Sequence, residues 1–134
     1  MSENITVLFA NEAFYLAFAG GDFEAMDELW SREGLVTCIH PGWNLLSGRE
    51  DVMESWVAIL ANPNATRIKY RNAAATLFGE LALVTCYEEL EQGFLIATNI
   101  FIREDGTWKM IHHQAGASPV PPEEEEPDFP DTMQ

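Results

Sequence analysis

The segment Cys38-Ile39-His40-Pro41-Gly42-Trp43 combines the residue types best suited to chemistry in this chain. An apolar run from Leu35 to Ile39 ends at His40, and Pro41 prevents regular strand pairing from continuing beyond it. The ordinary pKa of histidine is about 6.5, so small shifts let the ring accept or donate a proton near neutral pH. Two roles for His40 stay open: an acid/base group that faces a cavity, or a ring that binds a backbone carbonyl at the strand end.

The other histidines and the cysteines do not form a metal-binding motif. His112 and His113 are adjacent, and adjacent strand residues point to opposite faces of a sheet, so at most one of them faces a cavity with His40. The other is expected at a subunit interface or in the core. No His-x-x-x-His or Cys-x-x-Cys spacing occurs. Cys38 and Cys86 lie in apolar runs, where free cysteine packs as a small hydrophobe. We therefore predict no metal and no cofactor.

Acidic residues dominate the charge of the chain and limit its partners. Twenty-two acidic residues oppose seven basic ones, which gives a formal net charge of -15. This charge repels phosphate backbones and anionic lipid, so we predict no nucleic-acid partner and no membrane partner. Glu88, Glu89 and Glu91 lie towards a predicted hairpin turn, where charged side chains are usually solvated. Two roles therefore stay open for them, general acids or ligands and solvated surface residues, and we favour the second.

Length and composition predict one domain with a tail. A chain of 134 residues has room for a single core. Residues 1–118 are predicted to form this domain. Residues 119–134 are rich in proline and glutamate, so they are predicted to form an extended, flexible tail, in which Val120 and Phe129 are candidate contacts with a neighbouring subunit. Two cysteines, and no apolar run of the about 20 residues that span a bilayer, predict a cytoplasmic protein.

The spacing of apolar residues predicts three helices before the main sheet. Apolar residues recur every three or four positions from Ile5 until Gly20-Gly21 ends the first helix. Asp22 is the predicted N-cap of a second helix over residues 23–30. A third helix is predicted to begin at Ser47 or Gly48 and to stop at Asn62-Pro63-Asn64.

The pattern after Thr66 is typical of strands. Four β-favouring runs, over about residues 66–78, 81–91, 94–104 and 107–118, are separated by turn signals. Short connections make consecutive strands antiparallel, and strands of this length must curve strongly. We predict an α+β fold in which a cone-shaped, strongly curved antiparallel sheet wraps around three helices from the N-terminal half. Such a cone encloses a hollow.

Several motifs give this order of elements a resemblance to a known family. His40-Pro41-Gly42 follows the first strand, Gly48-Arg49-Glu50 opens the third helix, and Ala97-Thr98-Asn99-Ile100-Phe101 leads towards Trp108 and His112-His113. Over residues 3–118 the chain resembles the nuclear transport factor two-like superfamily. The resemblance is closest to bacterial SnoaL-like, ketosteroid-isomerase-like members.

The resemblance implies three catalytic candidates. The isomerases of this family carry a carboxylate base directly before a proline at the end of the first strand, which corresponds to His40. Their oxyanion hole pairs a tyrosine with a protonated aspartic acid; these correspond to Tyr15 and Asn99. Because histidine and asparagine replace the two acids, the resemblance implies acid/base chemistry other than steroid isomerisation.

Two functions are predicted for such a protein. The first is a homodimer whose cavity binds a small, largely apolar molecule and performs cofactor-free isomerisation, cyclisation or dehydration; its predicted ligand-binding residues are Trp43, Trp56, Tyr87, Phe101, His112 and His113. The second is a non-catalytic, dimeric assembly or adaptor domain whose acidic tail recruits a basic partner. Both functions include a dimer. Isoleucines on one face of the strand over residues 94–104 predict that it forms through the sheet.

Overall fold

Three helices cover one face of a six-stranded sheet in the computed structural model, which describes residues 3–62 and 68–124. In chain order the elements are α1 (Glu3–Gly20), α2 (Phe23–Leu29), β1 (Thr37–Ile39), β2 (Leu46–Ser47), α3 (Arg49–Ala61), β3 (Lys69–Phe78), β4 (Leu81–Leu90), β5 (Gly93–Glu104) and β6 (Thr107–Ser118). The predicted α+β fold class, with three helices and a curved sheet, is confirmed.

The sheet is open and mixed. Its strand order is β2-β1-β6-β5-β4-β3, and β3 to β6 form the predicted antiparallel meander. The prediction of an antiparallel sheet needs correction at β1, which pairs parallel with β6. No hairpin joins these two strands, because α3 and four strands lie between them in the chain, so nothing forces them to run in opposite directions. The short strand β2 was not predicted.

The core lies between the helices and one face of the sheet, here called the inner face. Alternate residues of β4 point to it, and the opposite face, here called the outer face, carries the residues between them. The largest fully buried side chains include Phe14, Met26, Trp30, Trp56 and Phe101. Burying such side chains contributes about 2 kcal/mol each to folding.

Arg49 fixes the position of α3 against α2. Its guanidinium donates to the Asp27 carboxylate at 2.6 Å, to the Asp27 carbonyl at 2.8 Å and to the Trp30 carbonyl at 2.9 Å. These bonds satisfy carbonyl groups at the C-terminal end of α2, which an isolated helix leaves without partners. The N-terminus of α3 is thereby held against the C-terminal end of α2.

Local signals placed most element boundaries correctly. Asp22 is the N-cap of α2, as predicted, and its side chain accepts a hydrogen bond from the Ala25 amide at 3.1 Å. β1 begins at Thr37 and not at Leu35, which is 71% exposed. The described residues leave out three predicted features: the start of β3 near residue 66, part of the stop signal at residues 63–64, and residues 125–134 with Phe129.

Candidate active site

A cavity of about 350 Å³ opens where the end of β1, the C-terminal halves of α1 and α3, and the inner face of β4 to β6 meet. Its walls are mostly apolar, with a few polar groups, as is usual for small-molecule sites. The lining residues are Phe18, His40, Pro41, Trp43, Ile59, Asn62, Ile68, Glu88, Leu90, Leu95 and His113.

His40 forms one polar wall of this cavity and is only 3% exposed. A turn at Pro41-Gly42 follows it; Gly42 adopts a positive φ of 82°, and the Trp43 amide donates to the His40 carbonyl at 2.9 Å. The rings of His40 and Trp43 pack edge to face at 4.8 Å. His40 and Trp43 both line this cavity.

Ser55 determines which nitrogen of His40 carries the proton. The Ser55 hydroxyl donates its hydrogen to the Val52 carbonyl at 2.6 Å. It must then accept from His40 Nε2, 2.9 Å away, so Nε2 is protonated and Nδ1 keeps its lone pair. Burial lowers the pKa of His40 to about 4, so the ring is neutral at pH 7. The His40 ring thus contacts the Ser55 hydroxyl and, at 3.6 Å from Nε2, the Cys38 thiol, not the backbone carbonyl of the second predicted role.

Glu88 is the main site residue that the sequence analysis missed. It was interpreted as a solvated surface residue, and this was wrong: Glu88 lies on the inner face of β4, lines the cavity and is only 1% exposed. The Tyr15 hydroxyl donates to its Oε2 at 2.6 Å. Burial raises the pKa of Glu88 to about 7, although the bond from Tyr15 acts in the opposite direction. At neutral pH this carboxyl can therefore give or take a proton.

Asn99 is the centre of a buried hydrogen-bond network behind Glu88. Its Nδ2 donates to Asn11 Oδ1 at 2.8 Å and to the Tyr15 hydroxyl oxygen at 3.2 Å. Its Oδ1 accepts from His113 Nδ1 at 2.6 Å. Asn99 is fully buried and does not line the cavity. The structure therefore gives Asn99 and Tyr15 the geometry of residues that position Glu88 and His113.

His113 faces Glu88 with an unprotonated nitrogen. Because Nδ1 donates to Asn99, Nε2 keeps its lone pair, and it lies 3.9 Å from Glu88 Oε2. This distance is too long for a hydrogen bond but short enough for charge coupling. Burial lowers the pKa of His113 to about 3. The two cavity histidines are thus neutral acceptors beside one titrating carboxyl.

The remaining predicted residues lie away from the cavity. His112 lies on the outer face, where its Nδ1 is 2.7 Å from the Thr37 hydroxyl. Tyr87, predicted to bind ligand, also belongs to the outer face, because it alternates with Cys86 and Glu88 along β4. Trp56 is fully buried behind His40 and Phe101 is fully buried in the core; neither lines the cavity.

Strand alternation was the available signal for Glu88. Ala82, Val84 and Cys86 are buried at every second position of β4, and Glu88 continues that series. Within residues 3–62 and 68–124, no three His, Cys, Asp or Glu side chains are grouped closely enough to hold a metal ion.

A helix-covered, curved sheet with a partly polar cavity defines the class of nuclear transport factor two-like domains. Within it, the sequence model of the SnoaL-like domain matches residues 7–121. The chain belongs to the SnoaL-like family. This membership supports a ligand-binding or isomerase-type domain.

Two solved structures illustrate the relationship. A Streptomyces avermitilis protein of the NTF2-like family, provisionally described as a dehydratase, is 34% identical; the match covers 88% of this chain and 97% of that one, with a TM-score of 0.80. A Thiobacillus denitrificans protein, provisionally described as a calcium/calmodulin-dependent protein kinase type II association domain, is 28% identical; the match covers 83% and 94%, with a TM-score of 0.76.

A curated plant protein is also similar over most of the chain. The F-box protein SKIP8 of Arabidopsis thaliana is 26% identical over 111 residues, which is 81% of this chain and 48% of that protein. The chain thus spans about half the length of the curated relative that it matches. None of the helices in the described ranges has the length and apolar character needed to cross a bilayer.

Proposed function

We propose that this protein is a cytoplasmic, cofactor-free enzyme that moves a proton on a small, largely apolar ligand, with the Glu88 carboxyl as the acid/base group. The observation that carries the proposal is a carboxyl that is 1% exposed, lines an apolar cavity and is held by the Tyr15 hydroxyl. Enzymes raise the pKa of a catalytic carboxyl by such burial, because proton transfer is most efficient when the pKa is near the working pH.

The chemistry needs only the residues around the cavity. The Glu88 carboxylate removes a proton from a carbon next to a ligand carbonyl. The electrons of the broken C–H bond delocalise onto that carbonyl. In an isomerisation, neutral Glu88 returns the proton to a different carbon. In a dehydration, the electrons form a C=C bond as the C–O bond breaks, and the proton joins the leaving hydroxyl to give water. The 34% identical relative, provisionally described as a dehydratase, supports the second type.

His40 and His113 orient the ligand in this scheme. His40 donates through Nε2 to Ser55, and its unprotonated Nδ1, 3.9 Å from Cys38 Sγ, is one acceptor. His113 donates through Nδ1 to Asn99 and keeps one lone pair that can accept from a ligand hydroxyl. Their pKa values of about 4 and about 3 keep both rings neutral while Glu88 titrates. A single group then changes charge during the reaction.

Hydrogen–deuterium exchange on a bound ligand tests this proposal. Small apolar ketones and hydroxyketones are first screened for binding by thermal shift. Binders are then incubated with the protein in D₂O, and deuterium uptake next to the carbonyl is followed by NMR. We expect Glu88→Gln, which keeps shape and removes the acid, to slow uptake by about 100-fold or more.

Glu89→Gln is the matched control, because Glu89 is the next residue of β4 and its side chain is 39% exposed beside Arg71. We expect it to change uptake by less than about twofold. Equal uptake in wild type and Glu88→Gln would refute the role of Glu88. If a ligand binds in the cavity but takes up no deuterium, the protein binds that ligand without catalysing proton transfer.

We propose homodimeric assembly through the outer face of the sheet as a second function. The face presents Ile96, which is 46% exposed, with Leu81 at 39% and Phe78 at 62%. Apolar patches of this kind often mark protein–protein contacts. The 28% identical relative, provisionally described as a kinase association domain, supports this candidate.

Light scattering after gel filtration tests the assembly. We expect a dimer for the wild type and a monomer for Ile96→Glu, since a buried, unpaired carboxylate is strongly unfavourable at an interface. Val57→Glu, at a 48% exposed position of α3, is the matched control and should leave the dimer intact.

A pull-down with a chain truncated after Ser118 then tests recruitment by the acidic tail, which the adaptor alternative requires.

A further inference from the structure

Two hydrogen-bond acceptors of the candidate active-site cavity, Glu88 Oε2 and His113 Nε2, lie 3.9 Å apart. His113 Nε2 carries a lone pair, because Nδ1 donates to Asn99 Oδ1 at 2.6 Å. Glu88 Oε2 accepts from the Tyr15 hydroxyl, and a carboxylate oxygen can accept a second hydrogen bond. The separation is too long for a hydrogen bond between the two residues. Together the two atoms can therefore bind one donor group of a ligand.

The distance between the two acceptors fits a donor atom that carries two hydrogens. A nitrogen about 2.9 Å from both atoms holds them at an angle of roughly 85°. The tetrahedral angle between two N–H bonds is only somewhat wider, so an amine can donate to Glu88 and His113 at the same time with both hydrogen bonds close to linear. A hydroxyl has one hydrogen, so when it donates to one acceptor it turns a lone pair towards the other.

The charge around the cavity favours a cationic ligand group. Glu88 is 1% exposed, and a buried carboxylate is costly unless a positive charge lies beside it. Within residues 3–62 and 68–124, no lysine or arginine lines the cavity. The whole chain carries a formal net charge of -15, which attracts cations and repels anions. A ligand with a positive charge therefore supplies what the described lining does not.

From this geometry we infer that the cavity binds small ligands with a protonated primary amino group, which lies between Glu88 Oε2 and His113 Nε2 and donates one hydrogen to each. The apolar lining holds the rest of the ligand; it includes Phe18, Ile59 and Leu95. The inference rests on the proposed function in placing the ligand at Glu88, and it adds the chemical class of that ligand.

Three probes that share one apolar body test the class of ligand. Phenethylamine, phenethyl alcohol and phenylacetate differ in the polar group at the end of the same short chain, and calorimetry gives the Kd of each for the full-length protein. At pH 8 we expect phenethylamine to bind at least about tenfold more tightly than either of the others, because hydrogen bonds between charged groups are the strong ones. Equal affinity of the amine and the alcohol, or no binding of the amine, would overturn the inference.

The pH dependence of binding shows which group the ligand contacts. The pKa of Glu88 is about 7, so its ionised fraction rises about tenfold between pH 6 and pH 8, whereas an alkylamine stays protonated. We expect the affinity for phenethylamine to rise about tenfold over this range. The affinity for phenethyl alcohol should fall about tenfold, because a hydroxyl fits only the neutral carboxyl, from which it accepts while it donates to His113.

The other titratable groups around Glu88 in the described residues keep their charge between pH 6 and pH 8. Burial raises the pKa of Tyr15, which faces Glu88 from α1, well above its ordinary value. Burial also raises the pKa of Cys86 to about 11 and of Cys38 to about 12, and lowers that of His40 to about 4 and of His113 to about 3. A change in affinity over this range therefore reports Glu88.

Two variants separate contact at Glu88 from general attraction to an acidic protein. Glu88→Gln and Glu89→Gln each remove one negative charge, but Glu89 lies on the outer face beside Arg71. At pH 8 we expect Glu88→Gln to weaken phenethylamine binding at least about tenfold and to abolish its pH dependence. Glu89→Gln should change the Kd by less than about twofold. Equal losses in the two variants would show non-specific attraction and would overturn the inference.

Binding and proton transfer can fail separately. If a ketone exchanges deuterium in a Glu88-dependent way but the amine binds no better than the alcohol, the proposed function stands and the amine inference is wrong. If the amine binds with the expected pH dependence and no ligand exchanges deuterium, the inference stands and the proposed proton transfer is wrong.

Discussion

Glu88 and Glu89 are neighbours on β4, but the two faces of the sheet give them opposite properties. Glu88 is 1% exposed, lines the cavity and has a pKa raised to about 7. Glu89 is on the outer face, where its carboxylate pairs with Arg71 at 3.2 Å. The side chains are chemically identical, so the difference comes from their surroundings, and desolvation is the largest cause of the raised pKa of Glu88. The direction of a side chain along a strand thus decides which carboxyl can act as an acid at neutral pH.

The pH dependence of stability is the strongest test of this difference. The pKa of Glu88 is about 7 in the folded protein and about 4.5 when exposed. Below pH 4.5 the Glu88 carboxyl is protonated in both the folded and the unfolded protein. As the pH rises through 7, Glu88 becomes charged in the folded protein, and only there is that charge buried. The difference between these two pKa values corresponds to about 3 kcal/mol of stability, present at low pH and lost at high pH.

We therefore expect Glu88→Gln to increase the free energy of unfolding by about 3 kcal/mol at pH 9 relative to its effect at pH 4.5, as measured by urea unfolding. Glu89→Gln removes one exposed ion pair and should change stability by less than about 1 kcal/mol at either pH. If the two variants show the same pH dependence, the two carboxyls have similar environments and the contrast is wrong.

The sequence predicted the elements more fully than their tertiary neighbours. The three helices, the Asp22 cap and the antiparallel meander follow from local periodicity and turn residues, which act within a few positions of the chain. The parallel pairing of β1 with β6 joins residues such as Cys38 and His113, and no local signal encodes that contact. It depends on how the completed sheet packs.

The candidate site was predicted in the same uneven way. His40 and Trp43 were placed at the cavity, because a proline turn after a strand is a local signal. Glu88 was missed since its position near the end of β4 suggested solvent, whereas its parity with Cys86 indicated the inner face. Burial depends on what packs above a strand, here α1 through Tyr15, and this is tertiary information.

His113 and His112 extend the comparison to β6. His113 faces inwards and is 1% exposed, and burial lowers its pKa to about 3; His112 is partly buried on the outer face, and burial lowers its pKa from the ordinary value. We expect His113→Ala to destabilise the protein by about 2 kcal/mol, because it opens a cavity and leaves Asn99 Oδ1 without its donor. His112→Ala should cost less than about 1 kcal/mol.

Thermal unfolding measures these costs, and NMR of the ring protons gives an independent check. The folded pKa of His113 lies below that of the exposed ring, so its ring should stay neutral as pH falls from 8 to 5, while the unfolded chain gains a proton near pH 6.5. A full titration of His113 above pH 6 would contradict the buried network around Asn99.

The bond from Tyr15 to Glu88 gives the smallest expected effect. Its hydroxyl donates to the Glu88 carboxyl at 2.6 Å and lowers the pKa of that group against the larger effect of burial. We expect Tyr15→Phe to raise the pKa of Glu88 and to destabilise the protein by about 1 kcal/mol, since Asn99 Nδ2 also loses a partner.

Infrared spectroscopy follows the carboxyl stretch of Glu88 through the pH titration, with Glu88→Gln used to assign the band. Tyr70→Phe is the matched control, because Tyr70 stacks on Tyr15 at 5.3 Å but donates its hydroxyl to Glu12 at an exposed position. Tyr70→Phe should leave the pKa of Glu88 unchanged. A pKa that falls in Tyr15→Phe would mean that Tyr15 stabilises the neutral carboxyl, and the inner face would then favour the acid through hydrogen bonding as well as through burial.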